Sequence, residues 1–117
     1  MDRRAVGSAA EDAAARALAA RGYLIVARNV RSRGGELDIV CLDGDCFVFC
    51  EVKARRPSGF GVALEALTLT KRRRLVRLAQ TYLATRGRRD APYRIELIAV
   101  DLDAAGAPRE LTVVPFA

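Results

Sequence analysis

The segment "GELDIVCLDGDCFVFCEVKARR", residues Gly35–Arg56, decides the fold predicted for this chain. It has the pattern of two apolar strands, Glu36–Leu42 and Asp45–Lys53, joined by a two-residue Asp43-Gly44 turn. Charged side chains occupy the strand ends away from the turn, where a buried strand ordinarily has Val or Ile. The segment therefore predicts a central hairpin with a polar cluster at one end.

The turn sets a register for this hairpin, in which Asp38 pairs with Phe49 and Glu36 with Glu51. Because side chains alternate along a strand, four charged residues are expected on one face: Glu36, Asp38, Glu51 and Lys53. Asp38 and Glu51 become diagonal neighbours, about 7–8 Å apart at the backbone.

Carboxylates gathered in this way are unfavourable unless a positive charge compensates them. Mg²⁺ and Mn²⁺ suit the cluster, because they bind through one or two carboxylates plus a substrate phosphate. Asp38 and Glu51 are the candidate ligands, and the backbone carbonyl of Val52 could add an oxygen. Lys53 could hold an attacking hydroxide or stabilise phosphate charge. The alternative is a set of exposed salt bridges, each of which contributes little to stability.

Length and composition predict one globular domain covering residues 1–117, of which 51% are hydrophobic. The absence of histidine excludes Ser-His-Asp and Cys-His catalysis and His-ligated zinc. The three cysteines lie in the apolar strands and are expected to be buried thiols, without disulfides. No apolar stretch is long enough to cross a membrane and no secretory signal is recognisable, so a cytoplasmic, membrane-free protein is expected.

The formal net charge of +6 is unevenly placed along the chain. Residues 35–52 contain five acids and no base, whereas residues 53–94 contain twelve bases and two acids. An acidic segment flanked by basic ones suits a polyanion that approaches a metal-holding centre. The alternative is a solvated basic surface. Only Lys53 and Lys71 of the twenty bases are lysine, and a lysine at the end of the hairpin favours a functional role for Lys53.

The remaining elements follow from hydrophobic periodicity and from turn residues. The order α-β-β-β-α-β, with hairpin strands apolar on both faces, predicts a mixed sheet sandwiched by helices. The predicted elements are a helix from Ser8 to a C′ residue at Gly22, a strand at Tyr23–Ala27, a helix at Thr70–Arg86, a strand at Tyr93–Leu102 and a short edge strand at Leu111–Phe116.

Basic residues crowd the start of the second helix, directly after Thr70 as the predicted N-cap. Cations there oppose the helix dipole, but a docked phosphate would reverse the sign of that interaction. The alternative is a solvated helix face. Aromatic residues are few, so duplex or branched DNA fits better than single strands. The predicted phosphate contacts are Arg55, Arg56, Lys71, Arg72, Arg73 and Arg77.

The arrangement "GELDIV…FCEVKARR" resembles the Asp…Glu-x-Lys core of the restriction-endonuclease-like superfamily, PD-(D/E)xK. More narrowly, "ARNVRSRGGELDIV", "VFCEVKARRPSGFG" and "LTKRRRLVRLAQTYL" are similar to the YraN family of small bacterial proteins, from Gly7 to about Phe116. That family is described as endonuclease-like and akin to archaeal Holliday-junction resolvases. The resemblance implies an α/β/α restriction-endonuclease-like sandwich, metal ligands at Asp38 and Glu51, and Lys53 as the motif lysine.

The same resemblance adds Glu11, an acid on the first helix that resolvase-like relatives bring to the site. The alternative is local, because Ser8-Ala9-Ala10-Glu11 forms a capping box in which Glu11 bonds back to the Ser8 amide. Glu36 is expected to have a supporting role.

These observations lead to the expectation of a Mg²⁺- or Mn²⁺-dependent endodeoxyribonuclease, and the resemblance implies a setting in DNA repair or recombination. Branched DNA is one substrate that the resemblance implies, and resolvase-like action on it would need a symmetric homodimer. The alternative is a non-catalytic nucleic-acid-binding protein that retains the nuclease fold.

Overall fold

A five-stranded mixed sheet lies between two helices in a computed structural model that describes residues 3–55 and 68–116. The strands follow chain order across the sheet, and every neighbouring pair is antiparallel except the parallel pair β3–β4. The elements are α1 (Arg3–Ala20), β1 (Leu24–Ser32), β2 (Gly35–Asp43), β3 (Cys46–Arg55), α2 (Leu69–Thr85), β4 (Tyr93–Leu102) and β5 (Pro108–Pro115).

Each helix covers one face of the sheet. Ala14 and Leu18 of α1 are buried in one core with Ile39 and Cys41 of β2. On the other side α2 packs over Val40. The predicted α/β/α sandwich with a central mixed sheet is confirmed, because β2 and β3 are apolar on both faces and need a cover on each. Within the described residues, neither helix combines the length and apolar character that crossing a bilayer requires.

The first helix begins at Arg3, five residues before the predicted start. The residues that precede Ser8 are compatible with a helix, so Ser8 lies inside it and has no free first-turn amides to cap. The capping-box prediction for Glu11 is therefore wrong. The predicted end is confirmed, since Gly22 adopts φ +91° as the C′ residue of a Schellman motif.

The second helix is capped by Thr68 and not by Thr70, and it ends at Thr85. The Thr68 hydroxyl accepts a hydrogen bond from the Lys71 amide at 3.1 Å, which places Lys71 at the third helical position. The predicted apolar stripe is confirmed, and its buried members are Leu75, Leu78, Ala79, Tyr82 and Leu83.

The hairpin turn consists of Gly44 and Asp45, because Asp43 pairs with Cys46. Gly44 has φ +61° at the first turn position, where a type II′ turn has its glycine. The predicted Asp43-Gly44 turn is therefore wrong by one residue, and the predicted register is wrong by two. Since the side-chain period of a strand is two, this shift leaves each residue on its predicted face near the turn.

Both edge strands are longer than predicted. β1 continues through the basic segment to Ser32, and Val30 packs against the core on the α2 side. Asn29, inside this strand, has φ +53°, a conformation that asparagine tolerates better than most residues, and the pairing register shifts earlier, between Ile25 and Ala27. β5 begins at Pro108 because its backbone pairs with Leu102 of β4.

The three cysteines are free thiols. Cys41 and Cys50 are buried in the α1-side core, as predicted, and Cys46 is half-buried. Cys41 and Cys50 therefore act as small apolar side chains that pack in the core.

Gly35 begins β2 directly beneath α2. Its φ is +151°, and an added Cβ would lie 3.1 Å from Leu78 Cδ1. Gly35→Ala is expected to lower the free energy of unfolding by about 1–3 kcal/mol, through backbone strain and overpacking. Gly34→Ala is the control, since its φ is also positive but no atom lies within 4 Å of an added Cβ. Urea unfolding measures the free energy of unfolding of both variants. If Gly34→Ala and Gly35→Ala lowered it equally, the Leu78 contact would contribute nothing.

Candidate active site

The site begins where β2 and β3 separate. Their last backbone pair is Ile39 with Cys50. One residue further along β2, Asp38 Oδ2 accepts a hydrogen bond from the Val52 amide at 2.7 Å. A side-chain carboxylate therefore continues the ladder of the two strands beyond their last backbone pair.

Strict alternation of side chains is broken at this point of β2. Leu37 packs in the core under α2, whereas Ile39, two residues later, packs in the core under α1. The prediction that alternation alone aligns the charged residues on one face is therefore wrong at Asp38. The corrected register, continued one step past Ile39, puts Asp38 opposite Glu51 rather than opposite Phe49.

Burial raises the pKa of Asp38 from 3.8 to about 6. The hydrogen bond from the Val52 amide opposes the rise, and the negative charges of Glu51, Glu11 and Glu36 add to it. Asp38 thus lies within electrostatic reach of the other acids, in a place with too little compensating positive charge.

Glu51 projects towards α2 and contacts two ammonium groups. Its Oε1 lies 2.8 Å from Lys71 Nζ and 3.9 Å from Lys53 Nζ. The side chains of Glu51 and Lys71 are only 15% and 14% exposed. Glu51 Oε2 is buried and has no hydrogen-bond partner within the part of the chain that the structure describes. A buried carboxylate oxygen without a partner is unfavourable, so this atom has capacity for a ligand.

Lys53 lies at the open side of the cluster, with 41% of its side chain exposed. Burial lowers its pKa, and the neighbouring Lys71 ammonium lowers it further, while Glu51 and Asp38 act in the opposite direction. Lys53 is thus a partly desolvated cation next to both acids, which is the predicted position for the motif lysine.

Lys71 has a partner that the sequence pattern does not predict. It is predicted as a phosphate contact that flanks the apolar stripe of α2, and its ammonium lies 2.8 Å from Glu51 Oε1 with only 14% of the side chain exposed. One available signal could have identified it, since Lys71 and Lys53 are the only lysines among twenty basic residues. A compact ammonium fits beside a carboxylate in a narrow space where an arginine fork does not.

Glu11 and Glu36 lie around the cluster and each has a basic partner. Glu11 Oε1 is 3.2 Å from Arg28 Nε and Nη2, and Arg28 also binds Asp12 at 2.7 Å. Glu36 is exposed and lies 3.7 Å from Arg31 Nε. Both carboxylates influence Asp38 electrostatically without bonding to it.

The predicted phosphate contacts separate into two groups. Arg72, Arg73 and Arg77 are exposed on α2. Arg55 is buried, and its guanidinium donates to the Asp101 carboxylate and to Thr112 Oγ1, so it ties β3 to β4 and β5. The remaining predicted contact, Arg56, lies outside the described residues.

The residues present fit a magnesium-type ion held mainly by water and substrate. Within residues 3–55 and 68–116, no three acidic or thiol side chains group closely enough to hold a metal by themselves. Two carboxylates are sufficient for Mg²⁺, which keeps several waters and binds substrate phosphate. Glu51 Oε2 is an acceptor without a partner, and the raised pKa of Asp38 indicates a carboxylate whose charge the described residues compensate poorly.

Comparison with known proteins adds the family. Residues 10–100 match the family model described as "Uncharacterised protein family UPF0102". A UPF0102 protein of Symbiobacterium thermophilum is 50% identical over 98 residues, covering 84% of this chain and 83% of the relative. One from Streptomyces griseus is 46% identical over 107 residues, covering 91% and 90%. One from Geobacter sulfurreducens is 42% identical over 104 residues, covering 89% and 81%. The chain therefore belongs to UPF0102, the YraN family.

Proposed function

We propose that this protein is a Mg²⁺- or Mn²⁺-dependent endonuclease that hydrolyses DNA phosphodiesters, in DNA repair or recombination. One observation carries the proposal: Glu51 has a buried, partnerless Oε2, and its charge acts on Asp38, whose pKa is raised to about 6. A carboxylate with a perturbed pKa near lysines, as Asp38 is, is typical of catalytic centres.

In this proposal Asp38 and Glu51 would hold the cation, and the Val52 carbonyl could add an oxygen. A cation held there would polarise the phosphodiester and lower the pKa of an attacking water. The Val52 amide keeps Asp38 oriented through its 2.7 Å hydrogen bond. Lys53, at the open side, stabilises the negative charge that develops on the phosphate.

Lys71 neutralises Glu51 when the cation is absent. Its ammonium bonds only Oε1, at 2.8 Å, so the second oxygen of Glu51 remains available. If a cation shared the charge of Glu51, the Lys71 ammonium would be able to face substrate phosphate. Because Thr68 holds the Lys71 amide, the backbone of this residue stays in place during that exchange.

The proposal is tested by incubating the purified protein with linear and branched DNA, in Mn²⁺ and in EDTA. We expect cleavage in Mn²⁺, no cleavage in EDTA, and loss of cleavage in Asp38→Asn. The control is Asp45→Asn, which removes an exposed carboxylate at the opposite end of the hairpin. Cleavage that survives in Asp38→Asn, or is equally reduced in Asp45→Asn, would contradict the assignment.

A second candidate is a nucleic-acid-binding protein without hydrolytic activity. The close Lys71–Glu51 ion pair favours it, because an internal ammonium supplies part of the charge that a metal would supply. This candidate predicts salt-sensitive DNA binding that Mn²⁺ does not change, with no cleavage. Titration of the protein with Mn²⁺ by calorimetry separates the two functions directly.

A further inference from the structure

Five exposed arginines form a continuous surface on the outer side of α2 and in the turn that follows it. We call Arg72, Arg73, Arg77, Arg88 and Arg89 the arginine surface. Three shallow grooves connect them in order along the helix. The first is lined by Arg72, Arg73 and Arg77, the second by Arg77 and Arg89, and the third by Arg88 and Arg89. Arg88 and Arg89 were not among the phosphate contacts predicted from the sequence.

The arginine surface lacks compensating negative charge. Within the described residues, none of its five arginines forms an ion pair with a carboxylate, although Asp90 lines the last groove. Four other arginines of the described chain do pair with carboxylates, for example Arg28 with Glu11 and Arg94 with Asp43. Like charges gathered without partners repel one another, so this surface is suited to a polyanion.

The surface also has a direction relative to the candidate active site. Lys71, which contacts Glu51, is at the N-terminal end of α2, and Arg88 and Arg89 follow its C-terminal end. The helix has 17 residues, and at 1.5 Å per residue it is about 25 Å long. Duplex DNA rises about 3.4 Å per base pair, so this length corresponds to about seven base pairs.

We propose that a DNA duplex lies along the arginine surface and extends about seven base pairs to one side of the reacting phosphate. Arg88 and Arg89 contact phosphates at the far end. This inference rests on the proposed function for its starting point, because the active site defines where the duplex begins. Beyond the proposed function, the inference specifies how long the bound duplex is and in which direction it extends from the active site.

The side chains on this surface favour a duplex backbone over other polyanions. The large hydrophobic residues exposed in the described chain are Leu24, Val26 and Leu69, and none is aromatic. Single-strand binding commonly uses aromatic stacking platforms, and helices that lie in a membrane interface need a broad apolar face. Leu69 alone provides neither, so recognition falls to phosphate contacts.

The test compares Arg88→Ala/Arg89→Ala with Arg16→Ala/Arg21→Ala. The second pair removes the same charge from exposed positions on α1 and after it, on the other side of the sheet. Binding to DNA hairpins with stems of about four and about eight base pairs is measured in EDTA over a range of salt. For the longer stem, we expect the Arg88/Arg89 variant to reduce the slope of log affinity against log salt by about 1.8.

On the shorter stem the Arg88/Arg89 variant should bind like the wild type, because that stem ends before these arginines. An unchanged slope on the longer stem, or an equal reduction in the α1 variant, would overturn the inference. So would a variant that loses binding to phosphatidylserine vesicles but not to DNA. Wild-type protein that binds both stems but cleaves nothing in Mn²⁺ would contradict the proposed function and leave the arginine surface intact.

Discussion

Lys71→Met is expected to lower the free energy of unfolding by about 2–4 kcal/mol in the absence of metal. Lys71 and Glu51 are 14% and 15% exposed and lie 2.8 Å apart, so removing the ammonium leaves a buried carboxylate without its main counter-charge. Breaking one side of a buried ion pair is strongly destabilising for this reason. Urea unfolding at neutral pH measures the effect.

The matched control is Lys53→Met, since the chain contains just these two lysines. Lys53 is 41% exposed and lies 3.9 Å from the same oxygen, so its loss is expected to cost under about 1 kcal/mol. In Glu51→Gln/Lys71→Met the charges are removed together, and most of the stability should return. Equal losses in the two lysine variants would show that the Lys71–Glu51 contact has no special weight.

Lys71→Met also tests the proposed metal site with a readout independent of cleavage. Because the Lys71 ammonium competes with a cation for Glu51, its removal should increase Mn²⁺ affinity about tenfold, which is about 1.4 kcal/mol. Mn²⁺ should correspondingly restore much of the lost stability of the variant. An unchanged or weaker Mn²⁺ affinity in calorimetry would contradict the counter-ion role of Lys71.

Local chemistry explains which parts of this fold could be predicted from the sequence. The apolar runs of the hairpin and the α2 stripe specify element type strongly, and both were found. The turn was misplaced because Asp43-Gly44 and Gly44-Asp45 are both good turn pairs, and only cross-strand packing selects between them. The start of α1 was missed because Ser8 resembles an N-cap even though helical residues precede it.

The candidate site depends on contacts between residues far apart in sequence, which explains what the sequence could not provide. Asp38, Glu51 and Lys53 were identified from residue type and spacing. The burial of Lys71 required knowing how α2 approaches β3. Arg55 resembled a phosphate contact until the sheet paired it with Asp101, 46 residues later in the chain. Long-range partners of this kind leave no local pattern.

The unfolding free energy of the wild type is expected to fall as pH rises from about 4 to about 6–7, by at most about 3 kcal/mol. The pKa of Asp38 is about 6 in the folded protein and 3.8 when exposed. Between these values the folded state binds more protons than the unfolded state. Stability is therefore highest while Asp38 is protonated and declines as it ionises.

Asp38→Asn should remove this decline and be more stable than the wild type at pH near 7, because an amide oxygen can still accept the Val52 hydrogen bond without carrying charge. Asp45→Asn, at the exposed turn, should keep the decline.

Asp101 affects stability in a different pH range. Arg55 lowers the pKa of Asp101, so this pair loses stability as the pH falls below about 4. Thermal unfolding across this pH range separates the two carboxylates.

Mn²⁺ should oppose the Asp38 effect, since the cation binds the ionised carboxylate and compensates its charge. In saturating Mn²⁺ the decline of wild-type stability above pH about 5 should shrink or disappear, while Asp38→Asn should respond weakly to the ion. If Mn²⁺ left the decline of the unfolding free energy unchanged, Asp38 would be a destabilising buried acid that does not bind a cation. A group kept ionised at a cost to stability, and relieved by a divalent cation, is what a metal site requires of its ligands.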